Sequence, residues 1–251
     1  MEVVESIGEW RAIQDSLGSR TLGMVPTMGA LHPGHLALVH ESIRQNESTV
    51  ASIFVNPMQF NNPDDLKAYP RDLERDRKLL AREDVDYLFV PRYKEIYADN
   101  YRYKVSESEF STRLCGKSRP GHFDGVLTVV LKLFNIIAPT RAYFGEKDYQ
   151  QLLLIEGMVQ HLFLPIKIVR VPIVREEDGL AVSSRNTLLN ENERALAGKL
   201  PQILREAANC REAIDELLHF GIEVDYIEEM SGRRFGAVTI GGVRLIDNVQ
   251  I

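Results

Sequence analysis

The stretch Pro26-Thr27-Met28-Gly29-Ala30-Leu31-His32-Pro33-Gly34-His35 constrains this chain more than any other. An apolar segment, Leu22 to Val25, leads into a turn of small residues, and an apolar helical pattern begins after it. Where a strand turns through small residues into a helix start, backbone N–H groups can meet a phosphate. His32 and His35 add two imidazoles at the same place, and imidazole can donate to phosphate oxygens and stabilise charge growing on them. The spacing therefore predicts nucleotide chemistry at the head of an α/β unit.

The pattern around that turn repeats. Thr21–Val25 reads as a strand and Pro33–Gln45 as a helix, with proline at its start and Leu36, Val39 and Ile43 on one face. Thr49–Val55 reads as a buried strand, Leu66–Arg82 as a charged helical region and Asp86–Val90 as a strand. Val126–Ala138 is apolar on nearly every side, which suits a helix between layers. Arg141–Phe144, Tyr149–His161 and Ile166–Val171 continue as strand, helix and strand. Such alternation predicts a Rossmann-like, doubly wound parallel sheet with ligands beyond the C-terminal strand ends. After Val174 the pattern changes. Asn190–Ala208 and Arg211–Phe220 look helical, and Glu223–Glu228, Ala237–Ile240 and Val243–Ile246 look like strands, with Gly241-Gly242 as a hairpin turn. The expectation is an α/β domain over residues 1–174 and a smaller C-terminal α+β lid domain over residues 175–251. Arg175–Asn186 would then lie at the mouth of the cleft between them.

Composition narrows the function. With 251 residues, 44% of them hydrophobic, the chain can build one large core or two modest ones. A formal net charge of -6 argues against a nucleic-acid-binding surface but leaves room for a local basic pocket. The longest apolar run, Gly125 to Pro139, contains Lys132 and falls short of the ~20 residues of a membrane span. The acidic N-terminus lacks the order of a signal peptide, so the expectation is a cytoplasmic protein with no membrane partner. Cys115 and Cys210 are too few and too far apart for a disulfide framework or a cysteine metal site.

Further loops carry chemistry. Asn56 and Gln59 follow a buried strand and offer amides for hydroxyl and carboxylate groups. Gly145-Glu146-Lys147-Asp148 opens a helix: the glycine permits close backbone approach, Lys147 supplies a point charge, and Asp148 suits an N-cap or a ribose hydroxyl. Ser183-Ser184-Arg185, on a loop after Gly179, suits a triphosphate tail. Arg119 and His122 lie in a locally basic stretch and could serve a second anion. Each of these loops, taken alone, is also what an ordinary turn or solvated helix start looks like.

Taken together and in order, Pro26–His35, Ser52–Phe60, Arg119–Leu133, Phe144–Gln151 and Ser183–Asn186 resemble the pantoate–β-alanine ligase family, within the nucleotidyltransferases marked by His-x-Gly-His. Val243-Arg244-Leu245-Ile246-Asp247-Asn248 carries the likeness into the C-terminal part, which looks shorter than usual for that family. Val182 stands where methionine is common. The resemblance implies a reaction in which pantoate is adenylated by ATP and the adenylate is then attacked by β-alanine. It implies an ATP site of Met28, Gly29, Ala30, Leu31, His32, Pro33, Gly34 and His35, with Gly145, Glu146, Lys147 and Asp148, and with Val174, Val182, Ser183, Ser184 and Arg185. His35 would be the proton donor, His32, Lys147 and Arg185 would hold phosphate, and Gln59, Gln151, Asn56 and Arg119 would bind the substrates. Mg²⁺ would travel with ATP; Asp76 is a candidate ligand by its place in an acidic helix. A homodimer is implied as well. Two other readings stay open: a nucleotidyltransferase that leaves the nucleotide on its product, and a nucleotide-binding regulator without turnover.

Overall fold

Six short strands form one all-parallel sheet in the computed structural model, which describes all 251 residues. They are β1 (Glu2–Val4), β2 (Leu22–Thr27), β3 (Ser48–Ile53), β4 (Tyr87–Phe89), β5 (Arg141–Gly145) and β6 (Lys167–Val171). Their spatial order is β1-β4-β3-β2-β5-β6. The chain winds outward from β2 in one direction through β3 and β4, and in the other through β5 and β6. The switch point therefore lies between β2 and β5, and the crevice beyond their C-terminal ends is where ligands bind in open α/β sheets.

Helices cover both faces: α1 (Ile7–Leu17), α2 (Pro33–Gln45), α3 (Pro63–Ala68), α4 (Leu73–Arg82), α5 (Tyr93–Ile96), α6 (Cys115–Ser118), α7 (His122–Ile137) and α8 (Tyr149–His161). One layer of the core is built on α1 and α7, with Trp10, Leu127, Phe134 and Ile137 fully buried, and the other on α2 and α4, with Leu31, Val39 and Leu80. Strand β3 is buried along its whole length, as its β-branched sequence requires between two helical layers.

Beyond β6, helices α9 (Glu191–Ala197), α10 (Lys199–Glu206) and α11 (Cys210–His219) pack on an antiparallel sheet of β7 (Glu223–Met230), β8 (Arg233–Ile240) and β9 (Val243–Gln250). This part has its own core, including Leu200, Leu204, Leu217 and Val238. Gly241 and Gly242 turn the β8–β9 hairpin with φ of 57° and 78°, the left-handed pair that a two-residue turn demands.

Several sequence expectations change. Leu66–Arg82 is two helices, because Pro70 lacks an N–H and holds Tyr69 extended at φ -61°, ψ 124°. Asn190–Ala208 likewise divides at Gly198 into α9 and α10. The apolar helix α7 starts four residues earlier than Val126, after Gly121 in the left-handed region. Strand β1 and helix α1 carry no expectation from the sequence; Ser6 and Glu9 form a capping box that starts α1. Both cysteines are free.

Candidate active site

The turn between β2 and α2 is held in an unusual shape. Gly29 and Ala30 both take positive φ, 81° and 51°. Alanine disfavours that region, so something must hold it there. Asp76 from α4 does: its two carboxylate oxygens accept the N–H groups of Ala30 at 2.8 Å and Leu31 at 2.9 Å, and the side chain is buried. Asp76 thus anchors the turn. No group of three His, Cys, Asp or Glu side chains stands where it could hold a metal.

Residue His32 is the N-cap of α2. Its Nδ1 accepts the N–H of Gly34 at 3.1 Å, which puts the proton of the neutral ring on Nε2. The ring folds so closely over the backbone that a Cβ on Gly34 would sit 2.9 Å from His32 Cε1. Pro33 supplies the fixed φ of a first helical residue. His35, one turn on, lies against His32 with ring centroids 3.9 Å apart, and its Nδ1 is buried without a partner. Burial first, and Lys147 after it, lowers the pKa of His32 to about 4. Burial, His32 and Lys147 lower that of His35 to about 3. Both rings are therefore neutral at pH 7.

These histidines line a cleft of about 250 Å³ at the switch point. Met28 lines it from the β2–α2 turn, Gly145, Lys147 and Asp148 from the end of β5, and Gln151 from the first turn of α8. Val174, Val182, Ser183, Ser184 and Arg185 enter it from the segment after β6, and Gln59 and Arg119 from the opposite wall. Lys147 forms one long ion pair, 3.9 Å to Asp148. Asp148 stands at the N-cap position of α8 but makes no capping hydrogen bond, contrary to the simple sequence expectation, and leaves its carboxylate in the cleft. Arg185 reaches Asp65 of α3 at 3.2 Å, and Ser183 Oγ accepts the N–H of Arg185. Burial, with Arg185 and Arg244 close by, depresses the pKa of Arg119. The cleft therefore concentrates positive charge in a chain that is acidic overall, which favours an anionic ligand.

Some expected residues are not in the wall. Gly29, Ala30, Leu31, Pro33 and Glu146 shape their turns without lining the cleft. Asn56 is wholly buried and fully engaged: Nδ2 donates to Gln59 Oε1 and Gly125 O, and Oδ1 accepts from Tyr97 Oη and the N–H of Met58. No hydrogen-bonding capacity remains for a substrate, so Asn56 sets the pose of Gln59. The Gln59 carbonyl is held in turn by His122 Nδ1 at 2.7 Å and by Arg119. Gly125 lets the Asn56–Gln59 turn lie against α7, since a Cβ there would be 2.4 Å from Met58 O. The wall also includes Phe60, Val126, Val129 and Val130, which lie in the matched segments without an expected role, and Tyr69 and Ile173, which lie outside them.

The Pantoate-beta-alanine ligase family model matches residues 2–250. The chain belongs to the pantoate-beta-alanine ligase family. Family members at high identity are pantothenate synthetases. That from Legionella pneumophila (strain Lens) is 51% identical over 249 residues, covering 99% of both chains. That from Bdellovibrio bacteriovorus is 54% identical over 242 residues, covering 96% of this chain and 95% of its own. The fold agrees: a crystal structure of the Francisella tularensis pantoate-beta-alanine ligase, complexed with beta-gamma ATP and beta-alanine, superposes with a TM-score of 0.96 at 43% identity, covering 100% of this chain and 97% of that one. The C-terminal part is matched along with the rest in these relatives. No helix is long and apolar enough to cross a membrane.

Proposed function

We propose that this ligase joins pantoate to β-alanine with ATP by way of a pantoyl adenylate. A pantoate carboxylate oxygen attacks the α-phosphorus and pyrophosphate leaves. The amine of β-alanine then attacks the acyl carbon, AMP leaves, and the amine proton passes to solvent. No enzyme nucleophile is needed, so the protein's task is alignment and stabilisation of charge at phosphorus.

The supporting observation is one cleft that gathers two neutral histidines, Lys147 and the Ser183–Arg185 loop against the amides of Gln59 and Gln151. In this reading His32, His35, Lys147 and Arg185 stabilise the phosphates, with His35 donating as a neutral imidazole, and Ser183 and Ser184 bind the tail. Met28 and the backbone of residues 29–34 contact the nucleotide, Gly145 and Asp148 take the ribose, and Val174 and Val182 flank the base. Gln59 and Gln151 hold pantoate, and Arg119 fixes Gln59 from behind. Mg²⁺ would be carried by ATP oxygens and water, since the side chains form no cage for it. A cytoplasmic homodimer belongs to the same reading, and sedimentation as a monomer at micromolar concentration would remove the dimer from it.

The test is stoichiometric. Pantothenate and AMP should appear one for one, and only with ATP, pantoate and β-alanine all present. Formation of ADP, or retention of the nucleotide on the product, would refute the reading.

A further inference from the structure

The Val243–Asn248 segment lies on β9, and none of its side chains lines the main cleft. Two of them nevertheless grip the loops that do. Asn248 is buried, and its side-chain amide donates to the carbonyls of Glu146 at 3.0 Å and Lys147 at 2.9 Å. Its Oδ1 accepts from Arg233 of β8, so the amide is oriented with both hydrogens toward that turn. Asp247, equally buried, receives two guanidinium nitrogens of Arg175 at 2.7 and 3.0 Å and the N–H of Asn248. Arg175 also donates to Gly179 O and Asn248 O, at the root of the segment that ends in Ser183–Arg185.

The turn that carries Lys147 has little else to fix it. Its helix receives no side-chain cap from Asp148, and Gly145 has open space around it. Without Asn248 the two half-buried carbonyls would lose these amide donors, and the turn could rotate to seek water.

We infer that Asn248 is a positioning residue for the phosphate tail of ATP: it aims Lys147 from behind, while Asp247 registers the Ser183–Arg185 loop against it through Arg175. The inference rests on the ligase reading for Lys147. It also makes phosphate binding depend on docking of the C-terminal sheet, because β9 is the element that bridges the two loops.

The test is an Asn248→Ala variant, read by nucleotide affinity and by half-reactions. The Kd for ATP should rise by about tenfold or more, while that for adenosine stays within twofold of the wild type. Pantoate-dependent pyrophosphate exchange should slow by about 10–100-fold, the scale of a 1 Å misplacement. Aminolysis of supplied pantoyl adenylate by β-alanine should be unchanged. Unchanged ATP affinity and exchange would overturn the inference, and so would equal losses in adenosine binding and both half-reactions. If Asn248→Ala does not fold, Arg233→Met frees Oδ1 and also removes the guanidinium stacked on Tyr149, but keeps both Asn248 donors, and should give the same selective pattern at about three- to tenfold; no selectivity there overturns the inference. Wild-type protein without any pantoate-dependent exchange would instead count against the ligase reading, and the ATP-against-adenosine comparison would still decide the role of Asn248.

Discussion

An Asp76→Asn substitution probes how the His-x-Gly-His turn is held. It keeps the size of the side chain but turns one acceptor oxygen into a donor facing the N–H of Ala30 or Leu31. A hydrogen bond to a charged group is lost, about 1.5–3 kcal/mol, and a buried N–H is left without a partner, about 1–3 kcal/mol. The two costs overlap, and Ala30 can recover part of the ~1–2 kcal/mol of its left-handed conformation by relaxing. The net destabilisation works out at about 2–3 kcal/mol. For a chain of this size each kcal/mol moves Tm by about 2–4 °C, so the melting point should fall by about 4–12 °C. The assay is thermal unfolding without nucleotide or metal, followed by steady-state KM for ATP, which should rise. A melting point within 1 °C of wild type, with unchanged KM for ATP, would refute the view that Asp76 anchors the turn. A defect that appears only as a changed Mg²⁺ requirement would refute it as well.

Three other outcomes follow from the site. Lys147→Ala should slow adenylation by about 10²–10³-fold, measured as pyrophosphate exchange, because it removes a fixed cation from the developing phosphate charge. Gly125→Ala should destabilise by about 1–3 kcal/mol in urea unfolding and raise KM for pantoate, since its Cβ would push on Met58 O and displace Gln59. Protonation gives the last. Burial lowers His32 to about 4 and His35 and His122 to about 3, so between those values and about 6.5 the unfolded chain binds more protons. Stability should be level above pH 6.5 and fall as the pH drops below it, by up to about 1.4 kcal/mol per unit for each histidine. The kcat/KM profile should correspondingly show no acid limb near pH 6.5; a limb there assigned to His32 or His35 by mutation would contradict their neutrality.

Much of this was legible in the chain where local chemistry and tertiary context agree. Helices α2 and α8 end where the sequence placed them, because Pro33 pre-sets the first and apolar residues face inward along both. The break at Pro70 was also written locally, and helical periodicity on either side obscured it. Asn56 was not decidable. An amide after a buried strand can face a substrate or a buried partner, and its partner Tyr97 comes 41 residues later. The same holds for Asp76, whose acidic helix gives no sign that its carboxylate reaches back to residues 30 and 31. Helix α7 is apolar on nearly every side, so periodicity could not choose which valines would meet the cleft. Of the adjacent pair Gln150 and Gln151, the first is tied to Phe110 O, Arg113 O and the N–H of Cys115, and only the second faces the site.

The central claim is that these loops hold ATP for attack by a carboxylate before any amine is needed. The most direct measurement is exchange of labelled pyrophosphate into ATP in the absence of β-alanine. The account predicts exchange that requires pantoate, with net AMP release only once β-alanine is added. Exchange that ignores pantoate, or that appears only when β-alanine is present, would contradict it.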